Sequence, residues 1–174
     1  IKKYLREPRN IYYYKMLKKR DLECLKLDKN QIKLRDELFE KIGINRNDKL
    51  VCIYNREIGF SKIDDKQFDY RNCSIQNYLK VIKYINSLGM WVFRVGSSNT
   101  SLDYKDSKYI ELNKINYFRE SSAFLISSKC EFHLGTTSGA NIFATIFNKP
   151  SLINNNIHLA SNNWLEKDLL IFKK

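Results

Sequence analysis

Three observations predict an α/β fold built on a parallel sheet covered on both faces. Several runs of strand length, such as 49–55 and 90–95, are continuously apolar but for Lys49, Asn55 and Arg94, instead of alternating. Segments with apolar residues at helical spacing lie between them. Turns rich in Gly, Ser or Thr separate the two kinds of segment. Strands buried on both faces need helices above and below, and right-handed crossovers then give a doubly wound, Rossmann-like unit.

Residues 1–30 are basic and tyrosine-rich (Tyr12, Tyr13, Tyr14), with little periodicity, and read as an upstream connecting segment. The folded domain is therefore set at 31–174. Its first helix is predicted over 31–42, where Leu34, Leu38 and Ile42 share a face and Gly43 is placed to stop it. A buried strand follows at 49–55 and ends in the polar pair Arg56-Glu57, with Gly59 beyond. A second helix is predicted over 74–88, with Ile75, Tyr78, Leu79, Ile82 and Ile85 on its apolar face and Gly89 after it. Strand 90–95 closes in Gly96-Ser97-Ser98, and 108–112 reads as a short strand. Then come a helix at 121–128, a strand at 131–134, a helix at 138–147 and, after Pro150, a strand at 151–154.

Composition narrows the class. At 174 residues the chain has room for one well-cored domain, and 43% hydrophobic with 13% aromatic residues argues against disorder. No apolar run approaches the roughly 18–20 residues of a membrane span, and no signal peptide opens the chain. A cytoplasmic location is expected, with room for association at the inner face of the membrane. The start at Ile1 instead of Met is read as a fragment or a trimmed chain. The net charge of +12 invites a nucleic-acid reading. Lysine dominates it, however, and is spread along the chain without a recognition motif or a continuous basic helix, so no nucleic-acid partner is expected. Cys24, Cys52, Cys73 and Cys130 form no Cys-x-x-Cys pair and read as free thiols of a reducing compartment. His133 and His158 are far apart without ligand spacing, so neither a metal nor another cofactor is expected.

The stretch richest in chemistry is Cys130-Glu-Phe-His-Leu-Gly-Thr-Thr-Ser-Gly139, followed by Ala140-Asn-Ile-Phe-Ala-Thr-Ile-Phe147. It reads as strand, tight turn and helix. Unpaired amides at a helix start favour an anion, and Thr136, Thr137 and Ser138 bring hydroxyls to the same place, with Gly139 leaving the backbone open. Such corners also carry Gly and Ser/Thr for turn and cap geometry alone. In a doubly wound sheet, ligands bind outside the carboxyl ends of the strands. Three polar turns fall there, Arg56-Glu57, Gly96-Ser97-Ser98 and 135–139. The dinucleotide fingerprint G-x-G-x-x-G and the Gly-Lys-Ser/Thr phosphate loop are both absent, which disfavours an ordinary NAD enzyme or ATPase.

Four segments in order carry a family resemblance. They are Val51-Cys-Ile-Tyr-Asn-Arg-Glu57, Asp69-Tyr-Arg-Asn72 with Ile75 and Tyr78, Leu88-Gly-Met-Trp-Val-Phe-Arg-Val-Gly96, and Cys130 to Gly139. Over about residues 31–156 the chain resembles bacterial glycosyltransferases of the GT-B, fucosyltransferase-like kind. The resemblance implies two Rossmann-like domains facing across a cleft, of which this chain is similar to the C-terminal, donor-binding one. It implies a nucleotide-sugar donor, a glycan or other acceptor, and a role in polysaccharide biosynthesis. By the same resemblance Arg56 binds the donor diphosphate, and Thr136-Thr137-Ser138 stand in the place of a Thr-x-Ser element that contacts the phosphates. Two positions depart from the pattern. Tyr54 stands where relatives often have His, and Ala123 where they often have an acidic residue.

Each remaining candidate has two readings. Arg56 is either a ligand cation or half of a surface ion pair, and arginine's fork suits phosphate. Glu57 reads as a partner holding Arg56 more than as a base. Arg71 is a loop cation or a substrate contact, and Asn72 a helix cap or a contact. Arg94 either enters the crevice or pairs with a carboxylate such as Glu111, while Gly96 and Ser97 could approach substrate. Tyr117 and Phe118 read as staple or core residues. The leading expectation is a donor-binding domain in which Arg56 and turn amides stabilise the departing diphosphate. The alternatives are a catalytically silent nucleotide-sugar module and, further off, a basic nucleic-acid or membrane binder.

Overall fold

The computed structural model describes residues 25–57, 69–96, 99–115, 121–156 and 167–173. Helix α1 (Lys29–Ile42) starts two residues before its predicted position because Asp28 forms a capping box with Gln31. The Gln31 amide donates to Asp28 Oδ1 at 2.8 Å, and the Asp28 amide donates to Gln31 Oε1 at 3.0 Å. Strand β1 (Leu50–Tyr54) follows and is buried along its whole length. The predicted second helix is two pieces, a 3₁₀ turn (Ile75–Tyr78) capped by Ser74 and then α2 (Leu79–Ser87). Strands β2 (Trp91–Arg94) and β3 (Tyr109–Glu111) are followed by α3 (Ser122–Ser127) and β4 (Phe132–Thr136). Helix α4 (Asn141–Ile146), β5 (Ser151–Asn156) and β6 (Leu169–Phe172) complete the described chain.

The six strands form one sheet in the order β3-β2-β1-β4-β5-β6, and every neighbouring pair is parallel. This is the strand order of a Rossmann unit, so the expected α/β fold is present. The chain runs outward from β1 to β3, then returns to the other side of β1 as β4. The switch in direction therefore lies between the carboxyl ends of β1 and β4, where Tyr54 pairs with Gly135.

Alternate residues of each strand build two cores. On one face Leu50, Cys52, Tyr54, Trp91 and Phe93 pack with Leu38 and Phe39 of α1 and Ile126 of α3. On the other, Val51, Ile53, Val92 and Leu134 pack with Ile75, Tyr78, Ile82 and Ile85. Each such side chain contributes about 1.5–3 kcal/mol on burial, which is why short strands suffice. Helix α4 joins the first face through Phe143 and Phe147, whose rings meet Phe124.

Three elements differ from expectation. Helix α4 is six residues long and starts at Asn141, so Ser138 precedes it. Strand β5 runs on through Asn156, with Asn155 at φ 52° where its pairing with β6 shifts register. Strand β6 has no predicted counterpart. Its start is tied to β5 by Asp168, whose Oδ1 accepts from the Ser151 amide at 2.8 Å.

Candidate functional site

Arg56 lies two residues beyond the end of β1, and its peptide is held from both sides. Its amide donates to Thr136 Oγ1 at 3.0 Å, and its carbonyl accepts from the Cys73 amide at 2.8 Å. The side chain is 8% exposed, and Nε donates to Asn72 Oδ1 at 3.3 Å. Asn72 therefore orients Arg56 instead of capping the following turn, a task that belongs to Ser74. Arg71 ends a 3₁₀ turn (Asp69–Arg71) and donates from Nη2 to the Thr137 carbonyl at 3.1 Å. The Arg56 peptide and the Arg71 guanidinium thus both bond to the 136–139 bend at the switch point, with Asn72 on Arg56 Nε, although 15 positions separate the two arginines in sequence.

The three hydroxyls of that bend also have partners inside the protein. Thr136 is 1% exposed and receives the Arg56 amide, so it positions the arginine. Thr137 donates its hydroxyl to Asn156 Oδ1 at 3.1 Å. Ser138 Oγ accepts from the Ala140 amide at 3.1 Å and keeps its own proton to give. The Ser138 and Gly139 amides donate to no carbonyl among the described residues, and Gly139 is exposed. With α4 only six residues long, these amides contribute local donors more than a helix dipole.

Glu57 and Arg94 form a separate buried unit. Arg94 is 2% exposed, with Nη2 at 2.6 Å from Glu57 Oε1 and Nη1 at 3.5 Å from Glu111 Oε1. It also donates to Asn55 Oδ1 at 3.2 Å and to the Thr100 carbonyl at 2.5 Å. Glu57 accepts from the Asn99 and Thr100 amides at 3.0 and 3.1 Å and from the Thr100 hydroxyl. Burial pushes the Glu57 carboxyl up. Hydrogen bonds from Thr100 and Asn55, with the charge of Arg94, outweigh that and hold it below the ordinary carboxylate range. The expected Glu57 partner was Arg56; the structure pairs Glu57 with Arg94. Of the two readings of Arg94, the paired one holds, and it extends to Glu111. The pair ties the loop after β2 to the loop after β1.

Two glycines shape the floor of this corner. A Cβ on Gly135 would lie 2.0 Å from the Tyr54 carbonyl oxygen, so β1 and β4 can approach only with glycine there. Gly96 has φ +87°, and a Cβ on it would lie 2.7 Å from the Tyr54 ring. Gly96 therefore seats Tyr54. Ser97, Tyr117, Phe118, Gly59, Cys24 and His158 lie outside the described residues.

Sequence reasoning missed the asparagines of β5. Asn154 Oδ1 accepts from the Tyr78 hydroxyl at 2.7 Å, and Asn156 holds Thr137. Asn155 Nδ2 lies 3.4 Å from the carbonyls of both Arg71 and Asn72. The run Asn154-Asn155-Asn156 was the only available signal, and it reads as a turn. His133, expected as a packed strand residue, is fully buried at the sheet centre with neither ring nitrogen hydrogen-bonded among the described residues. Among those residues no group of three or more side chains could hold a metal ion, and no helix is long and apolar enough to cross a membrane.

The fold and this corner define a Rossmann-like α/β domain with two arginines at its switch point. Compared with protein-family models, with characterised proteins and with solved structures, the chain has no match in any of the three.

Proposed function

We propose that this domain binds the diphosphate of a nucleotide-sugar and serves as the donor half of a glycosyltransferase. The observation that carries this reading is that the Arg56 peptide and the Arg71 guanidinium are both bonded to the 136–139 bend, at the topological switch point of a parallel sheet. Guanidinium groups recognise phosphoryl oxygens by charge and by paired N–H donors. The Ser138 hydroxyl and the Ser138 and Gly139 amides add neutral donors beside them.

In the transfer, the bond between the sugar's anomeric carbon and the β-phosphate oxygen breaks, and its electron pair stays with the nucleoside diphosphate. The acceptor oxygen takes the carbon and gives up its proton. Charge that grows on the departing diphosphate is where fixed donors lower the barrier most. Arg56, held at its own amide and at Nε, is preorganised for that task. The base for the acceptor proton belongs, on this reading, to the facing domain. The reaction would draw on cytoplasmic nucleotide-sugar, with the basic surface favouring an anionic membrane nearby.

Calorimetry of GDP, UDP and ADP against the wild-type chain and Arg56→Ala tests the assignment. Binding of at least one nucleoside diphosphate, weakened about 10- to 100-fold in the variant, is expected for loss of a charged hydrogen-bond donor. Equal affinity in both proteins refutes it. Binding of a nucleotide-sugar without turnover in the presence of the facing domain would identify the silent binding module instead.

A further inference from the structure

We infer that Asn155 is a positioning residue of the anion site, its side-chain amide setting the turn that carries Arg71. This rests on the anion-binding reading above and gives a part in it to a residue that acts only through another.

The 3₁₀ turn Asp69–Arg71 and the two residues after it are fastened by their carbonyl oxygens. Tyr70 accepts from Lys173 Nζ at 2.8 Å, and Cys73 accepts from Asn55 Nδ2 at 2.8 Å. Between them, the carbonyls of Arg71 and Asn72 both accept from Asn155 Nδ2, each at 3.4 Å. Four consecutive carbonyls are thus bonded by side chains that follow β1, lie in β5 and follow β6. The turn therefore lies across the carboxyl ends of three strands, which set its place. From it the Arg71 guanidinium reaches the Thr137 carbonyl at 3.1 Å, and Asn72 Oδ1 accepts from Arg56 Nε at 3.3 Å. A shift of the turn moves both contacts together.

Two separate properties of Asn155 bring its amide to those carbonyls. Its backbone has φ 52°, at the point where β5 slips register against β6. Left-handed backbone of this kind suits Asn and Gly and few other residues, and a bulge re-aims the side chain it carries. The neighbouring asparagines are engaged elsewhere at the same sheet end. Asn154 Oδ1 accepts from the Tyr78 hydroxyl, and Asn156 Oδ1 from the Thr137 hydroxyl. The Asn155 amide has two N–H donors, one for each carbonyl of the turn. Glycine at this position would keep the backbone and lose both donors. Aspartate would keep the shape and turn a carboxylate on two carbonyl oxygens. At 3.4 Å both bonds are long, so they adjust the place of the turn more than they hold the fold together.

The test is calorimetry of pyrophosphate, GDP and UDP against wild type, Asn155→Gly, Arg71→Ala and the double variant of the two, with thermal unfolding of each. Asn155→Gly should unfold near the wild-type midpoint and bind the tightest of the three anions about 3- to 10-fold more weakly. In the Arg71→Ala background the same substitution should cost about 2-fold or less, because the turn then has no guanidinium to place. A residue with a merely structural part would cost the same in both backgrounds, so equal losses overturn the inference. Wild-type affinity in Asn155→Gly, or in Arg71→Ala, overturns it as well while leaving the anion site standing. Should Asn155→Gly be unfolded at the assay temperature, Asn155→Asp takes its place in both backgrounds and is read in the same way. If wild type binds none of the three anions, the anion-binding reading fails and the role of Asn155 falls with it.

Discussion

Lowering the pH should destabilise this protein through His133 more than its carboxylates alone would. The imidazole is fully buried between Cys52 and Ser151 on neighbouring strands, with neither nitrogen hydrogen-bonded among the described residues. Burial disfavours the charged form and pushes its pKa down to about 4. An unfolded histidine titrates near 6.5, so between about pH 6.5 and 4 the unfolded chain holds a proton that the folded chain refuses. Stability from this residue is thus full above pH 6.5 and lost as the pH falls towards 4. Linkage puts the loss between pH 7.5 and 5 at about 2 kcal/mol, approaching about 3 kcal/mol at the limit. In urea that is a fall of roughly 1 M in midpoint for a chain of this size. Because other groups also titrate, the quantity to measure is the difference between wild type and His133→Leu at both pH values. The variant should lack this increment, and at pH 7.5 it should be no less stable than wild type, since it removes two unsatisfied nitrogens. Parallel pH profiles for the two proteins would refute the reasoning. So would a proton-resonance titration giving His133 a pKa near 6.5.

The corner itself yields further expectations. Gly135→Ala should prevent folding or cost more than about 3 kcal/mol in denaturant unfolding, since its Cβ would meet backbone of β1 that cannot retreat. Arg94→Met should cost about 3–5 kcal/mol by leaving Glu57 buried without its cation, while Glu111 keeps Lys114 at 3.2 Å. In the double variant Arg94→Met with Glu57→Gln, part of that loss should return. Thr136→Val should lower stability by about 1–2 kcal/mol and weaken nucleoside diphosphate binding, while Thr136→Ser restores both. Failure of the serine variant to restore binding would show that the methyl group, and not the hydroxyl, matters there.

Much of the scaffold was legible in the chain. The mainly apolar runs at 49–55 and 90–95 lie in the sheet interior as β1 and β2, because a strand covered on both faces has no solvent side to mark with alternating polar residues. The parallel class followed, and with it the place where a ligand would sit. Strand β6 escaped notice although Leu169-Leu-Ile-Phe172 is apolar, because an exposed edge strand of four residues leaves only a short signal. The length of α4 was overread because Thr, Ser and Gly at 136–139 fit a helix start as well as a bend.

The sequence by itself determined five of the six described strands, their order of appearance and the residue types at the strand ends, since these follow from local periodicity and turn chemistry. Only the tertiary structure decided partners. Arg56 and Arg94 are alike in sequence, each near a strand end beside polar residues. One is drawn to Thr136 and Asn72 at the switch point, while the other is enclosed by Glu57 and Glu111. The close seating of the Tyr54 ring against Gly96, at the end of a neighbouring strand, is likewise set by the sheet and not by local sequence. A side chain's pairing depends on which distant strand ends meet it, and that is set by strand order and register across the sheet.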